Sequence, residues 1–121
     1  MTASGPAEDE AGNADLGTVF RALADEHRRT VIAELAADGS DGERTCNSFD
    51  LPVSKQTQTH HFRVLREAGL IHEINYGNRK GIRLRRAEIN RRLPGLLDLL
   101  TAERRDLSQP GEILAEQKLS E

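Results

Sequence analysis

Residues 54–70 read SKQTQTHHFRVLREAGL. Ser54 is a residue type that caps helix N-termini and Gly69 one that ends helices, so the segment predicts a helix over 55–68. Phe62, Leu65 and Ala68 fall on one side of it and tie it to a core. Lys55, Gln56, Thr59, His60 and Arg63 lie away from that stripe. Their side chains carry donors and acceptors of the kind that match base edges, and those near the helix N-terminus lie beside its unpaired N–H groups, which favour phosphate. A helix anchored on one side and polar in this way on the other can enter the major groove of DNA. The competing reading is an ordinary amphipathic helix with a solvated outer face.

Two short apolar-containing runs follow, Leu70–Ile74 and Gly81–Leu84, separated by the turn-rich, basic segment Asn75-Tyr76-Gly77-Asn78-Arg79-Lys80. This pattern predicts a β-hairpin with a charged tip. Its position immediately after the helix would bring the two cations of the tip to neighbouring phosphates.

Upstream, Leu16, Val19, Phe20 and Leu23 recur at i, i+3, i+4 and i+7, one face of a helix that Asp15 can cap. Asp25 can cap a second helix with an apolar stripe of Val31, Ile32 and Leu35, for which Gly39 supplies a stop. The stretch from Cys46 to Leu51 is expected to form a helical turn. Beyond Arg86 a helical pattern is interrupted at Pro94, where a new helix can start because the first turn leaves its N–H groups unpaired anyway. The order helix, helix, short helix, helix, strand, strand, helix predicts a mainly α fold with a small β-hairpin, a winged helix-turn-helix. Residues 15–108 form that domain, residues 1–14 an acidic disordered tail, and residues 109–121 a flexible C-terminal tail.

Bulk properties agree. A chain of 121 residues fits one domain, and 3% aromatic content with no Trp leaves the core to Leu, Val, Ile and Ala. Such a thin core favours extra burial against a partner subunit. The net charge of −3 appears unsuited to nucleic acid until it is divided along the chain. Residues 54–92 hold ten Lys and Arg against three Glu, a local +7, and local charge decides where phosphate binds. The single cysteine, Cys46, excludes an internal disulfide framework. No signal peptide and no long apolar run is present, so the expectation is a soluble cytoplasmic protein with no membrane association. No Ser/His/Asp, Cys/His or paired-carboxylate arrangement has the spacing for catalysis, and no cofactor motif occurs, so an enzyme is not expected.

With these elements in view, the chain resembles the ArsR/SmtB-type winged helix-turn-helix transcriptional regulators. FRALADEHRRTVIAEL, with Leu23-Ala24-Asp25 and Arg28, looks like that family's opening helix pair; SKQTQTHHFRVLREAGLI looks like its recognition helix running into the wing; GNRKGIRLRRAEINRRLPGLLDLL resembles the wing, its second strand and the C-terminal helix. The likeness spans roughly residues 16 to 100. It implies binding to double-stranded DNA by a homodimer formed mainly through the first and last helices, here Leu16, Val19, Phe20, Leu93, Leu96, Leu97 and Leu100. It also implies DNA contacts from Ser54, Gln56, Thr57, Thr59, His60 and Arg63, with Arg79 and Lys80 on the wing, and a response to an effector of unspecified chemistry. The leucines at 93, 96, 97, 99 and 100 wrap more than one helix face, which independently favours a partner subunit. Gln58 departs from the family pattern, where an apolar residue is usual. A partly buried Gln there needs a hydrogen-bond partner; with this departure and the acidic tails, a protein-interaction module that has kept the fold but lost DNA binding is the alternative.

Many members of the family sense metals. Here there is one cysteine, the four histidines His27, His60, His61 and His72 are scattered, and adjacent His60 and His61 point about 100° apart on a helix, so no metal site is expected. Cys46 alone could act as a thiol sensor if Arg44 lowered its pKa, against the alternative of a small packing residue.

Overall fold

The computed structural model describes residues 15–108; the two expected tails, 1–14 and 109–121, lie outside the described residues. Three helices begin where a side-chain oxygen meets free backbone amides, as the sequence predicts. Asp15 accepts from the Thr18 amide at 3.0 Å and starts α1, Leu16–Leu23. Asp25 accepts from the amides of His27 and Arg28 at 2.8 and 3.2 Å and starts α2, Glu26–Ala37. Ser54 accepts from the Thr57 amide at 3.1 Å and starts α3, Lys55–Glu67. Gly69, at φ +77°, closes α3, with its own amide bonded to Arg66 O and the Leu70 amide to Leu65 O. That pair of bonds is the Schellman arrangement that a left-handed glycine permits.

Other helix ends are closed by arginines. Arg28 and Arg29 reach back from α2 to the carbonyls of Arg21, Ala22, Leu23 and Ala24 at the end of α1, of which Arg21 O also accepts from the Ala24 amide. The end of α2 differs from the sequence expectation. Gly39 has no left-handed conformation there. Asp38 instead bonds Ser40, and Arg86 donates Nη2 to Ala36 O at 2.9 Å and Nε to Asp41 at 2.7 Å.

The hairpin is formed by β2, Ile71–Asn75, and β3, Lys80–Leu84, antiparallel with Ile71 opposite Leu84 and Asn75 opposite Lys80. A third strand that the sequence reading did not include, β1 at Arg44–Thr45, pairs with the other edge of β3. The expected helical turn after Cys46 is a 3-10 turn, Cys46–Ser48. The C-terminal helical pattern is two helices, α4 at Arg86–Arg92 and α5 at Leu96–Ser108. Pro94 does not open α5 as expected; Pro94 and Gly95, the latter at φ +91°, make the turn between them.

The core joins Val19, Leu23, Ile32, Leu65, Leu70, Ile71, Ile82 and Leu97, drawn from α1, α2, α3, the sheet and α5. Leu97 and Leu100 are buried, and α5 is bound to α2 by Arg29–Glu103 at 2.9 Å and Arg104–Glu34 at 3.4 Å. Phe62 and Leu65 anchor α3 in the same core, as its apolar stripe predicts, so the opposite side of that helix faces outward.

Candidate nucleic-acid interface

All seven residues predicted to contact DNA from α3 and its cap, Ser54, Lys55, Gln56, Thr57, Thr59, His60 and Arg63, are exposed. Ser54 and Thr57 bond each other through their hydroxyls at 3.0 Å, so this pair shapes the helix start as well as facing outward. Gln58, half-buried, has the partner that its position demands: Nε2 donates to Cys46 O at 2.9 Å. The bond ties α3 to the 3-10 turn and seats the helix without the apolar residue usual at that place.

The wing is built by contacts that no local pattern announces. Asn75 accepts from the Gly77 amide at 2.8 Å, Gly77 turns the chain at φ +91°, and the Tyr76 amide bonds Arg79 O. The Tyr76 hydroxyl donates to Glu43 at 2.8 Å, and this bond pushes the phenol's pKa upward. The Arg79 guanidinium lies 4.2 Å over the Tyr76 ring and 4.0 Å from the Glu43 carboxylate. Glu43 fills the space over Gly81, where a Cβ would come within 1.9 Å of its carboxylate. Arg79 is therefore partly engaged in holding the wing, whereas exposed Lys80 has no ion-pair partner among the described residues.

Arg83 was not among the residues singled out from sequence, yet it is exposed on β3, near enough to Tyr76 to affect its titration, and has no ion-pair partner among the described residues. Strand alternation from the buried Ile82 could have found it. The other cations divide differently. Arg66 pairs with Glu73, Arg86 with Asp41, and Arg91 with Glu88. The local excess of positive charge is thus concentrated on α3 and the wing, at Lys55, Arg63, Lys80 and Arg83.

Arg44, expected to activate Cys46, is occupied elsewhere. It bonds Glu34 at 3.0 Å and Ser48 at 3.1 Å, and its guanidinium lies 3.9 Å over the Phe49 ring. Burial, and after it the Glu73 carboxylate, raises the pKa of the half-buried Cys46 thiol, with Lys80 opposing weakly. This environment disfavours the thiolate on which a thiol sensor depends.

Of the residues expected at a subunit interface, Val19, Leu97 and Leu100 are buried within the chain itself, and Leu93 and Leu96 are half-buried against its core. Leu16 and Phe20, 50% and 61% exposed, remain outward on α1, and Leu99, 69% exposed, does so on α5.

This arrangement has counterparts among known proteins. An HTH-type transcriptional regulator of Bacillus subtilis, YceK, itself uncharacterized, is 35% identical over 88 residues, which cover 68% of this chain and 82% of that protein. A solved structure, an ArsR-like transcriptional regulator from Rhodococcus sp. RHA1, superposes with a TM-score of 0.51 at 28% identity over 88% of this chain and 92% of its own. The chain belongs to the ArsR-type winged helix-turn-helix transcriptional regulators. No family model matches it. In this ArsR-type regulator the 3-10 turn precedes α3, and the hairpin of β2 and β3 follows it, in the order of a winged helix-turn-helix. Among the described residues, no helix is long and apolar enough to cross a membrane.

Proposed function

We propose that this regulator acts as a homodimeric repressor that binds an inverted-repeat operator in double-stranded DNA. In this reading α3 enters the major groove, with Gln56, Thr59, His60 and Arg63 toward base edges and Ser54, Lys55 and Thr57 toward phosphates. Arg79 and Lys80 grip the flanking backbone from the wing, and Arg83 joins them. The observation that carries the proposal is the exposed row of donors and cations along α3, where Lys55 and Thr59 line the same surface depression as Lys80 of the wing, on a helix anchored from beneath by Phe62, Leu65 and Gln58. A two-fold dimer would set its two reading helices roughly 34 Å apart, one turn of B-DNA. Leu16, Phe20 and Leu99 supply apolar surface that a monomer leaves in water and a dimer can cover. Binding over a promoter excludes polymerase, and the protein works in the cytoplasm, without catalysis, in response to an effector.

The alternative of an interaction module rests on the irregular Gln58 and on the acidic tails, which lie outside the described residues. The bond from Gln58 to Cys46 O gives that residue a structural role and favours the DNA-binding reading.

The test is titration of the purified protein against a fluorescent duplex from the promoter upstream of its own gene, at two salt concentrations and with random duplex as competitor. Expected are two protomers per site and affinity falling with salt by a logarithmic slope of about −0.9 per phosphate neutralised. No preference over random DNA, for this promoter and for a selected duplex library alike, would overturn the proposal.

A further inference from the structure

His61 is the one buried polar or charged residue among those described, 4% exposed, and it sits on the inner side of the helix whose outer side faces the proposed DNA site. Its ring meets the corner between α1 and α2. Arg28 Nη1 lies 3.0 Å from His61 Nδ1, while the rest of the same guanidinium is committed to the α1 carbonyls, with Nε on Ala22 O at 2.6 Å. On the other side of the ring, His61 Nε2 is 3.8 Å from Asp25 Oδ1, the oxygen that already caps α2.

The hydrogen-bond roles follow from chemistry. A guanidinium only donates, so Nδ1 must accept, and a neutral imidazole accepting at Nδ1 carries its proton on Nε2, toward Asp25. Imidazolium has donors at both nitrogens and no acceptor. Protonation would therefore set an N–H against the Arg28 N–H, in a buried place, beside a fixed positive charge.

We propose that His61 is the positioning residue that seats the reading helix on the α1–α2 corner through a neutral-imidazole bond to Arg28, and that its protonation unseats the helix and releases DNA under mild acid. The inference rests on α3 being the DNA-contacting helix.

The charged and titratable groups that reach His61 are Asp25 from the corner, His27 and Arg28 from α2, and His60 from its own helix. His27 and His60 each have their rings 6.2 Å from that of His61. Asp25 alone favours the imidazolium; burial opposes it most, and Arg28, His27 and His60 add to the opposition, so the His61 pKa lies below the ordinary histidine value. For a depressed pKa, the contribution to the seated state is complete above the unperturbed value of about 6.5 and is lost as pH falls below it. That sign is distinctive. Positive charge added at an outward-facing histidine would instead strengthen attraction to phosphate on acidification.

The experiment uses the full chain. Long-range proton–nitrogen NMR of the histidine rings should show His61 as the Nε2–H tautomer at about pH 7.5, with Nδ1 unprotonated. Affinity for the promoter duplex, at constant ionic strength, should fall by at least about threefold between about pH 7.5 and about pH 5.5. In His61→Asn, Oδ1 can accept where Nδ1 did and does not titrate, so the ratio of affinities at the two pH values should collapse toward one or invert. His60→Asn should bind less well overall but keep the acid-induced fall. His61 found as the Nδ1–H tautomer, or His61→Asn retaining the wild-type ratio, would overturn the inference. Absence of binding to any duplex at neutral pH would sink the DNA-binding reading instead, and the pH dependence of urea unfolding in wild type and His61→Asn would then decide the role of His61. If His61→Asn fails to fold, the wild-type tautomer decides.

Discussion

Among the cations between residues 54 and 92, two arrangements stand apart. Along α3 and β3, Lys55, Arg63, Lys80 and Arg83 stand in solvent with no ion-pair partner among the described residues. At the start of α4, Arg86 is turned inward onto Asp41 and the end of α2, and farther along the helix Arg91 pairs with Glu88. Each of these cations counts alike toward the +7 of the sequence, but those of the first group are not neutralised by an ion pair among the described residues. A basic stretch is therefore two things at once here, a binding surface and a set of internal fasteners. What separates them is whether a carbonyl or carboxylate comes within reach, from across the fold for Arg86 and from the preceding turn for Arg91.

Substitutions can break that division or sharpen it. The largest effect is expected for Arg86→Met, which strips the cap from α2 and leaves Asp41 without its partner. About 2 to 3 kcal/mol of stability should be lost, read as a melting temperature lower by roughly 10 °C or more, with unchanged DNA affinity for the protein that remains folded. Arg63→Ala should do the reverse, with melting unaltered and operator binding weaker by about 1 to 2 kcal/mol if Arg63 reads a base. Loss of operator affinity in Arg86→Met at a temperature where it is fully folded would show that the two arrangements are not distinct. Lys80→Ala should weaken all duplexes alike and lower the salt slope by about 0.9, the signature of one lost phosphate contact. Arg91→Ala should be smallest. Its pair with Glu88 is exposed and local on the helix, so melting curves should superimpose on wild type.

The same distinction explains what could be read in the sequence. Asp15, Asp25, Ser54 and Gly69 act on amides and carbonyls within a few residues, and each stands at the helix end that its type predicts. The outward row of α3 was legible because the helix period separates it from Phe62, Leu65 and Ala68. The hidden features join distant residues: β1 has two residues and no periodicity to show, Glu43 meets Tyr76 across 33 positions, and Arg28 meets His61 across the same separation. Gln58 stands between these cases. Its position predicted the need for a partner, but the Cys46 carbonyl emerged only from the fold. The leucines were ambiguous in sequence because a heavily apolar helix is compatible both with a subunit interface and with the chain's own core, and in the fold Leu97 and Leu100 pack into that core.

The reach of Arg86 has a consequence for how the chain comes into being. The carbonyl it bonds most closely belongs to Ala36, 50 positions earlier. During synthesis α2 therefore leaves the ribosome before the arginine that terminates it has been translated. The carbonyls at its end lack this donor until α3 and the hairpin have emerged and brought residue 86 around, a long loop whose closure entropy comes due before the bond can form. The arginine cap on α2 is thus made only after α3 and the hairpin exist, which ties the finishing of the N-terminal half to the arrival of α4.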